Sequence, residues 1–187
     1  MLRGLAVGIL LGIVLVAAGV YAYFASGKAP VATSEPDMPF EHHLAHVALE
    51  AYLEKQPKVE PQVPADERNL LAAAQTYKQN CAVCHGLPGS ERTIVANGMN
   101  PRPPQLFHGV GVTDDPIAET YWVIEGGIRM TGMPGFKGSL NETQIWQLAQ
   151  LLKNADKIPP TVRAELTAPA ATSTPSNAPA ATPAEKK

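Results

Sequence analysis

Cys81 and Cys84 are the only two cysteines in this 187-residue chain, and His85 follows the second directly, giving Cys81-Ala82-Val83-Cys84-His85. Few patterns this short restrict a fold so tightly. Two thiols and an imidazole must project from about one helical turn, so whatever they hold is approached from a single turn of backbone. Three chemistries use such a pair: thiol–disulfide exchange, part of a zinc site, and covalent attachment of haem. A redox C-x-x-C belongs in a βαβ setting, whereas the flanking sequence has helical periodicity and no convincing strand. Zinc would need further ligands, and with no other cysteine those would have to come from His42, His43 or His46.

Haem attachment accounts for the spacing itself. Two thiols on one turn can form thioether bonds to the two vinyl groups along one porphyrin edge, and the next residue brings an imidazole nitrogen over the iron. Cys81, Cys84 and His85 are therefore expected to hold one haem c. Electron-transfer haem iron commonly pairs His with Met on the opposite side. Met99, Met130 and Met133 follow the motif. A Met is usually packing, but Met133 sits in Gly132-Met133-Pro134-Gly135-Phe136, a tight loop-like setting just ahead of the last helix. Met133 is the expected second iron ligand, with Met130, Met99 and His108 as alternatives.

The expected fold is all-α, with three helices between residues 65 and 157. The first covers about Asp66–Asn80 and leads into the cysteines. The second opens at Asp115-Pro116, with Asp115 as N-cap and Pro116 at the first helical position. Its stripe is Ile117, Tyr121 and Ile124, and Gly126-Gly127 stop it. The third starts at Asn141, where Asn141 and Gln144 form a capping-box pattern and Leu140 can staple to Ile145. It runs through Leu148, Leu151 and Leu152 to about Asn154. Between the first two lies a long irregular stretch, residues 86–113, which a compact domain tolerates only if it wraps something. A buried cofactor supplies that centre. Asp114 and Asp115 then read as capping residues and not as catalytic carboxylates. Tyr121, Trp122 and Arg129 are candidates for the pocket, the indole N–H or guanidinium reaching a propionate; core packing explains the two aromatics equally well.

Outside this domain the chain changes character. Gly4 to Ala25 carries no charge, and at ~1.5 Å per residue a helix there would be about 33 Å long, enough to cross a hydrocarbon core of roughly 30 Å. Residues 1–26 are expected to be a single transmembrane anchor. The other reading is a cleaved signal peptide, but the apolar run exceeds an h-region of ~7–15 residues and no clean A-x-A site follows it. Arg3 ahead of the span points to a cytoplasmic N-terminus, leaving the remainder on the periplasmic side of a bacterial cytoplasmic membrane. Residues 27–64 read as a Pro-rich linker. It contains a short amphipathic helix near 41–55, with apolar Leu44, Val47, Ala48 and Ala51 and with Tyr52 as a further candidate, and then a stiff spacer punctuated by Pro57, Pro61 and Pro64. His42, His43 and His46 share a spacing that can bind metal, although a solvated, titrating face is the simpler reading. Residues 158–187, rich in Pro, Ala, Ser and Thr, are expected to be a disordered tail. A net charge of −2 without a basic run excludes a nucleic-acid footprint.

These residues together resemble the class I cytochromes c, and more closely the small membrane-anchored bacterial mono-haem members. The resemblance covers roughly residues 66–156. Tyr77 lies four residues before Cys81 and Ala73 four earlier, where the family has an aromatic and a small residue, more often Gly. The resemblance implies that this pair contacts Leu148 and Leu151. It also implies a proline carbonyl that accepts the second imidazole N–H; Pro104-Gln105-Leu106 matches the family's Pro-x-Leu, with Pro101 and Pro103 close rivals. Met133-Pro134 matches the late Met-Pro. The implied function is one-electron transfer with both axial positions filled and no small-molecule substrate. The protein would then be an electron carrier and not itself an enzyme, serving redox partner proteins in or near the membrane as a shuttle or as the cytochrome subunit of an oxidoreductase. A haem-based enzyme or gas sensor with a labile sixth ligand is the alternative.

Overall fold

The charge-free N-terminal run folds as one helix, α1 (Leu2–Ala25), in a computed structural model that describes residues 2–169. It is long and apolar enough to cross a membrane, and none of it is buried inside the protein. A second helix, α2 (Glu41–Glu54), follows the first Pro-rich stretch. Residues 57–64 then lie along the domain instead of standing clear of it. Val59 and Val63 pack against the core, the Gln150 side-chain amide donates to the Val63 carbonyl at 2.9 Å, and that of Gln62 donates to Glu142.

The domain is helical, and among the described residues there is no strand, only an isolated bridge between Lys137 and Leu140. Its first helix, α3 (Glu67–Asn80), is started by the Asp66 carboxylate, which accepts the Asn69 N–H at 2.9 Å. One helical turn, α4 (Ala82–His85), carries the cysteine motif, and a second turn, α5 (Ile94–Asn97), interrupts the irregular wrap. Next comes α6 (Ile117–Gly126). It begins one residue later than expected, with Pro116 as N-cap and no side-chain cap from Asp115. Pro116 keeps an extended ψ of 129°, and its carbonyl accepts the first helical bonds, from Glu119 and Thr120. A proline can fill that position because only its carbonyl is needed there. The carbonyl of Asp115 instead receives the Lys153 ammonium at 2.8 Å. The last predicted helix, α7 (Glu142–Lys153), has the full Asn141/Gln144 capping box.

The core forms where α3 crosses α7. Ala73, Tyr77, Leu148 and Leu151 are all essentially without exposure there, and the small Ala73 lets the two backbones approach. Tyr121 of α6 stacks on Trp146 of α7, with centroids 4.3 Å apart.

The tail expectation needs correcting at its start. Residues 160–167 form a further helix, α8 (Pro160–Thr167), packed on α3. Ile158, Val162 and Leu166 are spaced four apart and all buried. Lys78 adds a hydrogen bond to the Glu165 carbonyl. Averaging composition over a Pro- and Ala-rich segment conceals three well-spaced apolar residues, which is all a two-turn helix needs to dock. The rest of the expected tail, from residue 170 on, lies outside the described residues.

Candidate cofactor site

Tyr77 ends α3 by accepting the Cys81 N–H at its carbonyl, 2.8 Å away. The chain then turns once more. Cys84 and His85 both donate backbone N–H groups to the Cys81 carbonyl, so the two free thiols and the imidazole share one turn. Gly86 stops that turn at φ 72°, ψ −178°, a region essentially closed to residues with a Cβ. Burial, and then the neighbouring Cys84, push the Cys81 thiol up to about 12. That burial disfavours a thiolate at Cys81. Nor do the described residues group three His, Cys, Asp or Glu side chains around a point where a bare metal ion could sit.

His85 is oriented by its other nitrogen. Its Nδ1 lies 2.8 Å from the Pro104 carbonyl. A carbonyl only accepts, so Nδ1 carries the proton and Nε2 keeps its lone pair. Burial lowers the His85 pKa against the opposing pull of the Pro104 bond, which favours the neutral, ligating form. Among the three competing prolines, Pro104 makes this bond, while the Pro103 carbonyl is taken by Arg92.

Cys81, Cys84 and His85 open onto a largely apolar cavity of about 450 Å³, within the ~300–1,000 Å³ usual for ligand sites. Met133 lines the same cavity. Its loop is pinned to the end of α6: Phe136 N–H donates to the Ile124 carbonyl, and the Met133 carbonyl accepts from Ile128. Gly127, at φ 68°, and Gly135 meet backbone to backbone, and a Cβ on either would collide with the other strand of the loop. Met99 is also at the wall, its methyl group against Gly132. Met130 is 93% exposed. Neither it nor His108, Trp122 or Arg129 lines the cavity. The Trp122 indole is engaged elsewhere, donating to the Pro57 carbonyl at 3.0 Å, and the arginine at the wall is Arg102.

Sequence reasoning missed several lining residues. Thr120 lines the cavity, and its hydroxyl is buried without a hydrogen-bond partner, which is costly for a polar group. From α2 come His46, Leu49, Glu50 and Leu53. The expected apolar row of α2 is the wrong one, since Leu44 and Val47 are exposed. The helix carries two apolar rows, and only the position of the cavity selects between them. Two thiols, an imidazole with a free lone pair, two thioethers and apolar walls together suit a flat apolar macrocycle with a metal centre.

Residues 68–152 match the family model described as cytochrome c oxidase, cbb3-type, subunit III. The chain is 31% identical over 91 residues to the cytochrome c subunit of alcohol dehydrogenase (quinone) from Gluconobacter oxydans (strain 621H). That match takes in 44% of this chain and only 18% of the relative's length. A chain of the Kuenenia stuttgartiensis reducing HAO-like protein complex superposes with a TM-score of 0.45 at 23% identity, covering 57% of this chain and 54% of that one.

Proposed function

We propose that the protein is a membrane-tethered c-type cytochrome of class I, an electron carrier with one haem c held by Cys81, Cys84, His85 and Met133; the match of residues 68–152 to a cytochrome family model and the likeness to a cytochrome c subunit support this. The observation that carries this reading is the bond from His85 Nδ1 to the Pro104 carbonyl, made at the wall of the one cavity that also collects both thiols and Met133. When bound, haem iron supplies the one-electron Fe(II)/Fe(III) couple.

The chain's own residues do the rest. Cys81 and Cys84 provide covalent attachment, so a small domain can retain its cofactor without a large core. Pro104 fixes the His85 ring and makes its free nitrogen more basic. Leu106, Ile124 and Leu152 line the cavity with apolar surface, which excludes water and disfavours added charge. Electrons pass to partners through a small transient contact, as redox proteins generally use. The relative's name as a cytochrome c subunit supports a place beside, or within, a larger oxidoreductase. α1 serves as a single-pass anchor with Arg3 on the cytoplasmic side and the domain on the periplasmic side, keeping the carrier concentrated near membrane-bound donors and acceptors.

A pyridine haemochrome assay with intact-mass measurement tests the reading. It should find one covalently bound haem. The oxidised protein should show the weak band near 695 nm that is the family's usual sign of methionine on iron. Absence of the band, with carbon monoxide binding to the native reduced protein, would move the function to a haem-based sensor or enzyme.

A further inference from the structure

One wall of the cavity comes from outside the family match. α2 ends at Glu54, well before residue 68, yet His46, Leu49, Glu50 and Leu53 reach the cavity. Their i, i+3, i+4, i+7 spacing places them on a single stripe of the helix. Within α2, only Leu49 and Leu53 escape full exposure. The helix packs extensively on no other helix, so its inward stripe has the cavity as its main partner.

Polar clips hold this segment at both ends. Ahead of α2, the Asn100 side-chain amide donates to the Asp37 carboxylate at 2.7 Å, and the neighbours of Asn100, Met99 and Pro101, both line the cavity. Behind α2, Trp122 holds the Pro57 carbonyl, next to Val123 at the cavity wall. Tyr52 reaches across as well, its hydroxyl 3.6 Å from where a Cβ on Gly126 would be. Both clips therefore fall at the cavity rim. A helix held at its two ends, with a leucine pair turned inward between them, is placed to close an opening.

We propose that α2 is the outer wall of the cofactor site, with Leu49 and Leu53 lying against the bound haem and shielding it from water. The proposal rests on the haem reading given above. Shielding of this kind is worth having because solvent access is one of the levers that set haem potential. It also places part of the cofactor's environment in the segment that leads directly to the membrane helix.

The test uses the full chain in lipid nanodiscs with labelled leucine methyl groups, observed by NMR in the ferrous and ferric states. Leu49 and Leu53 should shift between the two states as Leu106 and Leu152 do, while Leu44 stays in place. A Leu49→Asn, Leu53→Asn double variant should keep its covalent haem, lose amide-exchange protection across α2, and be reduced by ascorbate severalfold faster. Haem present with Leu49 and Leu53 as insensitive to oxidation state as Leu44, or unchanged ascorbate kinetics in the variant, overturns the wall alone. A preparation without covalent haem overturns the parent reading with it.

Discussion

The Tyr77 hydroxyl donates to the carbonyl of Gly86 across 2.9 Å, with the ring fully buried. Tyr77 belongs to the last full turn of α3, and Gly86 is the residue immediately after His85. One side chain thus closes the turn that carries both thiols and the imidazole. The same ring meets Phe107 of the wrap edge-to-face at 5.1 Å, so the motif and the loop enclosing it share an anchor.

Tyr77→Phe should therefore keep the packing and lose the bond. It leaves the Gly86 carbonyl unpaired, which should cost about 1–3 kcal/mol. Denaturant unfolding of the haem-loaded protein measures this, and an unchanged midpoint would remove Tyr77 from that role.

Alkaline pH offers an independent reading of the same contact. Burial raises the Tyr77 pKa far above its usual value of 10.0. Above pH 10 the unfolded chain has lost this proton while the folded chain keeps it, so folding stability falls as pH rises. The stability advantage of wild type over Tyr77→Phe should shrink by about 1.4 kcal/mol per pH unit above that point. A difference that stays constant from pH 8 to 11 would contradict it.

Met133→Ala should leave haem attached, abolish the 695 nm band and lower the reduction potential, on the order of hundreds of millivolts within the ~0.8 V that axial ligation spans. Met130→Ala, at an exposed site, should change none of these. Potentiometry on both variants decides the ligand.

Thr120→Val removes a buried hydroxyl that has no hydrogen-bond partner. The swap keeps the shape and drops the unsatisfied group, so stability should rise by about 1 kcal/mol at an unchanged reduction potential. A fall in stability, or a shift of some tens of millivolts, would mean that the hydroxyl finds a partner in the loaded protein.

Leu166→Ala tests how far the domain extends. Leu166 is without exposure on α8, and truncation there should cost about 2–5 kcal/mol. A melting temperature matching wild type would return α8 to the tail.

The boundaries of α3 and α7 are legible in sequence because each has its own capping residue and an apolar stripe against the other. The cysteine motif is legible because its chemistry is local. Pro104 is harder to choose over Pro101 and Pro103, since all three are compatible with the pattern and only the path of the loop brings one carbonyl to His85. α8 and the inward face of α2 are harder still. In both, a few leucine, valine or isoleucine residues gain meaning only from a distant partner: α3 for Val162 and Leu166, the cavity for Leu49 and Leu53.

The clip between Asp37 and Asn100 also shortens the leash. With α1 in a bilayer, no more than the chain from Ala25 to Asp37 separates it from the clip, and that stretch is itself folded back by the Glu35 carboxylate, which accepts the Val31 and Ala32 N–H groups. At most about 3.3–3.6 Å per residue, that allows an excursion of roughly 40 Å, a fraction of what an unfastened stretch to residue 64 would permit. On the proposed reading, a carrier on so short a line would not roam between distant enzymes; it would swivel close to the lipid surface and exchange electrons with immediate neighbours.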